Sequence, residues 1–343
     1  MSAPGGDRRE RAMRLRIAAS PHVHSPHSTS RIMWTVNATL VPLVAAAVYW
    51  FGPSAILVIG AATAGAALTE RVVAGPGSLS DGSAVITGVL LGLILPAGFP
   101  MWMAFVGGAF GIGFGKLIFG GLGQNVFNPA LLGRAFLQAA FPTAITTWSA
   151  EPVSWWALRG DNLALPLMSP RTADLVTSAT PLGAWKFERL GTDLADLLIG
   201  RTGGSLGETS GLLILALGLF LAAKKYLDWR IPASILLTVA VFAGLLHLVD
   251  PGRFQGPLFH LFSGGLMIGA VYMATDMVTS PVTPAGAWLY GLGIGLLVVL
   301  IRVWGGLPEG VMYAILLMNA MTPFINRATQ PRVFGHVRRR EAA

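Results

Sequence analysis

Apolar runs of membrane length, separated by short polar interruptions, occupy most of this chain. They fall at roughly 32–51, 54–69, 83–95, 99–119 and 126–146, and again at roughly 205–224, 231–249, 257–275, 285–303 and 308–326. Each is near the ~20 residues a spanning helix needs, some of them shorter, and together they predict an all-α integral membrane protein of about ten transmembrane helices. One long polar interval, 147–204, divides them into two groups of five. The predicted organisation is therefore a basic tail (1–31), a first membrane unit (32–146), an irregular loop (147–204), a second membrane unit (205–327) and a second basic tail (328–343).

An even helix count puts both ends on one face of the membrane. Arg8, Arg9, Arg11, Arg14, Arg16 and Arg31 precede the first run, and Arg327, Arg332 and Arg338 to Arg340 follow the last. Clusters of Lys and Arg stay on the cytoplasmic side, so both tails are expected there, with the 147–204 loop on the outer, periplasmic face.

Composition supports the same class and narrows the chemistry. Of 343 residues, 53% are hydrophobic and only 12% charged, with a mean hydropathy of +0.63, whereas a soluble domain carries about 25% charged residues. The net charge of +8 collects at the tails and in one short loop, without interleaved aromatics, which argues against a nucleic-acid partner. There is no cysteine, hence no disulfide and no thiolate ligand for an iron–sulfur cluster. His247 and His260 are separated by Asp250, Pro251, Gly252 and Pro257, so they cannot pair on one helix as haem ligands. If the chain handles electrons, flavin or quinone remains.

Gly120-Gly-Leu122, Val126 and Leu131-Leu132 match Gly305-Gly-Leu307, Val311 and Leu316-Leu317 at a constant offset. A duplicated five-helix unit follows, and an odd number of helices per unit makes the repeats inverted, an arrangement that builds ligand sites near the midplane from broken helices. The 83–95 run, opening at Asp81-Gly82-Ser83 and closing at Leu95-Pro96, reads as one such broken helix.

The polar loop contains Asp174-Leu-Val-Thr-Ser-Ala-Thr-Pro-Leu182. Pro181 cannot continue a preceding helix, so the Thr180 hydroxyl is expected exposed on a turn, as an ordinary N-cap or as a modified side chain. Asn125, Asn128 and Arg134 read as a polar lining or as helix caps. Asp276 binds a cation, hydrogen-bonds a ring or is solvated. Ser205 with Glu208 has the form of a capping box, and Ser205 could also meet a phosphate at a helix start; Lys186, Arg189 and Arg201 could neutralise one.

The chain resembles the D subunit of the Rnf complex, the membrane ferredoxin:NAD oxidoreductase, and more distantly the B subunit of the sodium-pumping NADH:quinone oxidoreductase. The resemblance runs from about Ser25 to about Arg327. Its motifs include Ser80-Asp-Gly-Ser-Ala84, Phe119-Gly-Gly-Leu-Gly-Gln-Asn-Val-Phe-Asn-Pro-Ala130, Asp174 to Leu182, Gly204-Ser-Leu-Gly-Glu-Thr-Ser210, Met273-Ala-Thr-Asp276 and Pro308-Glu-Gly310. In that family the last threonine of a Ser/Thr-Gly/Ser-Ala-Thr motif carries FMN through a phosphoester bond made by a separate flavin transferase. The matching positions here are Thr177, Ser178, Ala179 and Thr180, with Ser178 where glycine is usual.

The resemblance implies a subunit of a bacterial inner-membrane complex. It would relay electrons through FMN on Thr180 while the complex moves Na⁺ or H⁺, beside an FMN-bearing G subunit and the membrane A and E subunits. It also implies a non-covalent riboflavin between the repeats. Two alternatives are a quinone-reductase subunit and a solute channel or transporter. A channel of the paired Asn-Pro-Ala type would lack half its filter, since Asn128-Pro-Ala130 is matched by Tyr313-Ala314-Ile315.

Overall fold

The computed structural model describes residues 28–148, 155–166, 168, 180–200, 202–208 and 210–331. Each of the ten apolar runs contains helix. Among the described residues, five helices are long and apolar enough to cross a membrane. These are α1 (Thr29–Phe51), α2 (Pro53–Ala74), α4 (Met101–Gly115, extended by a 3₁₀ turn to Phe119), α10 (Arg230–Val249) and α13 (Pro284–Trp304).

The other elements are shorter. They are α3 (Ser83–Leu93), α5 (Pro129–Ala140), α6 (Pro142–Thr146), α7 (Pro181–Gly183), α8 (Leu194–Ile199), α9 (Gly211–Ala223), α11 (Pro257–Phe262), α12 (Leu266–Ile268) and α14 (Val311–Ala328). Three runs expected as single helices are interrupted. The 126–146 run splits at Phe141 into α5 and α6. The 257–275 run breaks at Ser263-Gly264-Gly265 and then widens into a π turn over Gly269–Met273. The 205–224 run becomes helical only at Gly211. Periodicity misses the first two breaks because apolar residues line both sides of each, and it misses the late start because Ser205 and Glu208 have the spacing of a capping box.

Helix starts follow local chemistry. Ser28 caps α1 by accepting from the Arg31 amide at 3.2 Å. Asn128 caps α5 and Thr283 caps α13, each followed by proline at the first helical position, where a missing N–H costs nothing. Gly52, at φ +70°, ends α1, and Pro53 starts α2 directly.

Packing repeats between the halves. In the first, α2 lies against α3 and α4, and α4 against α5; in the second, α10 lies against α11 and α13, and α13 against α14. The α2–α4 contact is close because Gly65 and Gly108 face backbone. A Cβ at either would sit 2.0–2.1 Å from a carbonyl oxygen, that of Phe105 or of Ala62. Small residues allow such approach where helix association depends on packing. Contacts of α5 with α14 and of α1 with α9 join the halves. Outward faces carry Val41, Leu219, Leu248 and Phe324, all strongly exposed, as a lipid-facing surface requires.

Candidate functional site

Thr180 begins α7. Its Oγ1 accepts from the Gly183 amide at 3.1 Å, its carbonyl accepts from the Ala184 amide at 2.8 Å, and Pro181 takes the first helical position. The expected N-cap is thus present, but the expected exposure is not, since Thr180 is only 8% accessible. The cause is the neighbour two residues on. Leu182 is buried with Leu197 and Phe259, and it lies against Gly264 at the break between α11 and α12, so the turn is drawn onto the membrane unit. Thr177, Ser178 and Asp174 lie outside the described residues.

Thr180 lines a cavity of about 510 Å³. Its walls come from α5 (Leu131, Arg134, Gln138), from α6, from the turn reaching Glu188, and from residues 306–313, which join α13 to α14 and enter the latter. The size lies within the ~300–1,000 Å³ of small-molecule sites. Phe187, Met312 and Tyr313 supply apolar wall, while Arg134, Glu188 and Glu309 supply charge.

The charges satisfy helix ends that would otherwise stand unpaired in an apolar setting. Arg134 donates through Nη1 to the carbonyl of Ile94, just past α3, and its Nη2 lies 3.3 Å from Glu309 Oε2. The other carboxylate oxygen of Glu309 accepts from the Gly265 amide at 2.5 Å, at the start of α12. Arg302 donates to the carbonyls of His260 and Ser263 at the end of α11. Both breaks are therefore held by an arginine, and Glu309 ties one half to the other.

The expected phosphate partners in the loop are used elsewhere. Lys186 closes the C-terminus of α13, donating to the carbonyls of Arg302 (3.0 Å), Gly305 (2.5 Å) and Leu307 (2.9 Å). Burial holds its ammonium pKa below the usual 10.5, a cost that these carbonyls offset. Arg189 donates to the carbonyl of Arg253 at 3.0 Å and covers Trp185. Arg201 lies outside the described residues.

Ser205 also departs from expectation. It is fully buried and lines neither cavity described here. Its hydroxyl donates to Glu208 Oε1 at 2.8 Å, but the helix starts later, and Ser210 caps it by accepting from the Leu213 amide at 3.3 Å. Residues 205–207 instead run beside the end of α3, where the Leu206 amide donates to the Leu95 carbonyl at 3.0 Å. The chain here splints the broken helix, so the capping-box spacing marks a turn ahead of the helix.

Asn125, Asn128 and Asp276 come together at a second, smaller cavity of about 100 Å³, with Ser83, Lys116 and Tyr272. Asn125 Nδ2 donates to Asp276 Oδ2 at 3.3 Å. Asn128 accepts from the Ala130 and Leu131 amides while donating to the Met273 carbonyl at 3.2 Å, so it is both cap and bridge between halves. Asp276 also accepts from Thr279 and the Val278 amide. Thus Arg134 shares a cavity with Thr180, and the other three do not. Sequence reasoning passed over Glu309, whose signal was a lone carboxylate in the Pro308-Glu-Gly310 turn between two apolar runs.

Comparison with known proteins places these features in context. Residues 16–335 match the model of the NQR2, RnfD, RnfE family. The chain is 42% identical to the D subunit of a proton-translocating ferredoxin:NAD(+) oxidoreductase complex of Clostridium ljungdahlii, over 93% of this chain and 96% of the relative. It is 41% identical to the D subunit of the Na(+)-translocating complex of Acetobacterium woodii, over 94% and 96%. The D subunit of an ion-translocating oxidoreductase complex of Stutzerimonas stutzeri is 43% identical, over 90% and 92%.

Proposed function

This chain belongs to the NQR2, RnfD, RnfE family, and from that premise we propose that it is the D-type membrane subunit of an Rnf-type complex, relaying electrons through FMN esterified to Thr180. The complex exchanges electrons between ferredoxin and NAD while moving Na⁺ or H⁺ across a bacterial inner membrane. The relatives from C. ljungdahlii and A. woodii are named for different ions at nearly equal identity, so overall likeness does not decide the ion. Partners on this reading are the FMN-bearing G subunit and the membrane A and E subunits.

The observation that carries the reading is the placement of Thr180 on the wall of the 510 Å³ cavity at the seam between the two halves. The residues present fit the group. A phosphoester at Oγ1 leaves a lone pair for the Gly183 amide, so the cap survives attachment. Phe187, Met312 and Tyr313 offer apolar surface to a planar ring, and Arg134 brings positive charge to the same space. FMN supplies one- and two-electron transfer when bound; the protein fixes its position and surroundings. The non-covalent riboflavin between the repeats that the family resemblance implies belongs to the same proposal.

Ten membrane-crossing segments in two inverted repeats, both termini cytoplasmic and the 147–204 loop periplasmic, complete the proposal. The repeated packing order of the halves supports duplication. So does a buried cation at the end of each unit's fourth helix, which meets a serine of the third segment, at the start of α3 in the first unit and at the break after α11 in the second. Lys116 donates to Ser83 Oγ at 2.6 Å, and Arg302 to the Ser263 carbonyl at 2.9 Å.

The test is fluorescence of the full chain on a denaturing gel after expression with a flavin transferase. The unmodified chain should give a yellow fluorescent band, which Thr180→Val should abolish while the protein still accumulates in the membrane. A band that persists in the variant places the flavin elsewhere.

A further inference from the structure

The Arg134–Glu309 pair faces the cavity that Thr180 lines, and its two charges come from opposite halves of the protein. Arg134 is held from behind by the Ile94 carbonyl, and Glu309 by the Gly265 amide. Each head group is thereby anchored to a broken helix, and neither can swing away without leaving a backbone group unpaired. At 3.3 Å the pair is close, yet both side chains keep contact with the cavity, 10% and 20% accessible respectively. Arg302, another nearby cation, donates to the His260 and Ser263 carbonyls and does not line the cavity.

We propose that this ion pair sets the reduction potential of the flavin held at Thr180, with Arg134 raising it and Glu309 lowering it. The inference rests on the FMN reading above and assigns roles within that site. Reduction brings electrons from an external donor onto the ring, with protons drawn from solvent. Any electron not matched by a proton leaves the ring more negative. A guanidinium fixed in the same cavity favours that reduced form, and a carboxylate opposes it. Because the two groups partly neutralise each other, removing either exposes the other's full effect. The two single substitutions therefore act with opposite sign, which a purely structural role would not produce.

The experiment is a spectroscopic redox titration of the purified full chain loaded with flavin, comparing Arg134→Gln, Glu309→Gln, the double variant and Arg134→Lys, each scored first for gel fluorescence and thermal stability. Arg134→Gln is expected to lower the ratio of reduced to oxidised flavin at fixed potential roughly tenfold, about 30 mV for a two-electron couple. Glu309→Gln raises it by a similar factor, the double variant falls between, and Arg134→Lys stays within about threefold of the parent. Shifts of the same sign, no shift, or a lysine variant as displaced as the glutamine variant would overturn the assignment. Should the parent chain carry no flavin, the attachment reading fails and this inference with it. Flavin present on Thr180 but indifferent to both charges sinks this inference alone.

Discussion

The Lys116 ammonium lies 2.7 Å from a carboxylate oxygen of Glu70, and both residues are almost fully buried, at 4% and 1% accessible. The pair ties the end of α4 to the end of α2, and Lys116 also donates to Ser83 Oγ at 2.6 Å at the start of α3. Asp81 completes the group, accepting from the Ser83 amide and hydroxyl at 2.8 and 2.7 Å. Three elements therefore meet at one buried cation.

Breaking such a pair strands the remaining charge, which costs about 3–5 kcal/mol, whereas replacing both partners by apolar groups costs far less. Lys116→Met should accordingly destabilise the protein strongly, and Lys116→Met with Glu70→Leu should recover much of the loss. Thermal unfolding in detergent measures both. Equal loss in the single and double variants would show that the pair contributes through packing and not charge.

Lys186 links the loop that holds Thr180 to the last turn of α13. Hydrogen bonds to a charged group contribute about 1.5–3 kcal/mol. Lys186→Met should lower the unfolding temperature and make the loop between 180 and 200 more open to protease, while Lys186→Arg retains part of both. Unchanged proteolysis in the methionine variant would mean that Leu182 and its neighbours hold the loop without it.

Gly264 has φ +69°, and a Cβ there would fall 2.7 Å from Leu182 Cδ1. An alanine is strained by its backbone and pushes on the turn that positions Thr180, so Gly264→Ala should cost about 1–3 kcal/mol and reduce flavin loading. Leu182→Ala in the same chain relieves the clash but not the strain. Gel fluorescence normalised to protein should therefore recover partly in the double variant. Full loading of Gly264→Ala would show that the turn and the break are not mechanically coupled.

Asn128 caps α5 and reaches across to the Met273 carbonyl. Asn128→Ala loses both functions and should cost about 1–2 kcal/mol. Asn128→Ser keeps a capping oxygen and loses the donor to Met273, so its stability in thermal unfolding should lie between those of the parent and the alanine variant.

The helical, membrane-embedded class was legible from run length and from the low share of charged residues. The cap at Asn128 was legible as one of two readings, because Asn followed by Pro is favoured at a helix start. The breaks were not. Ser263-Gly264-Gly265 sits inside an apolar run, and what holds it open is Glu309 and Arg302, some forty residues away. Ser205 was misread because a capping-box spacing says which side chains can meet, and not whether a helix follows. The burial of Thr180 was hidden for a related reason. Its turn is pulled inward by Leu182 packing on a glycine in another segment, and no local pattern around Thr180 carries that information.

The central claim is a covalent bond at one hydroxyl, and intact mass analysis of the peptide spanning Thr180 tests it most directly. From membranes of cells that make the flavin transferase, that peptide should weigh its sequence mass plus one FMN less one water, with fragmentation placing the addition on Thr180. The unmodified mass alone, in such cells, would contradict the account.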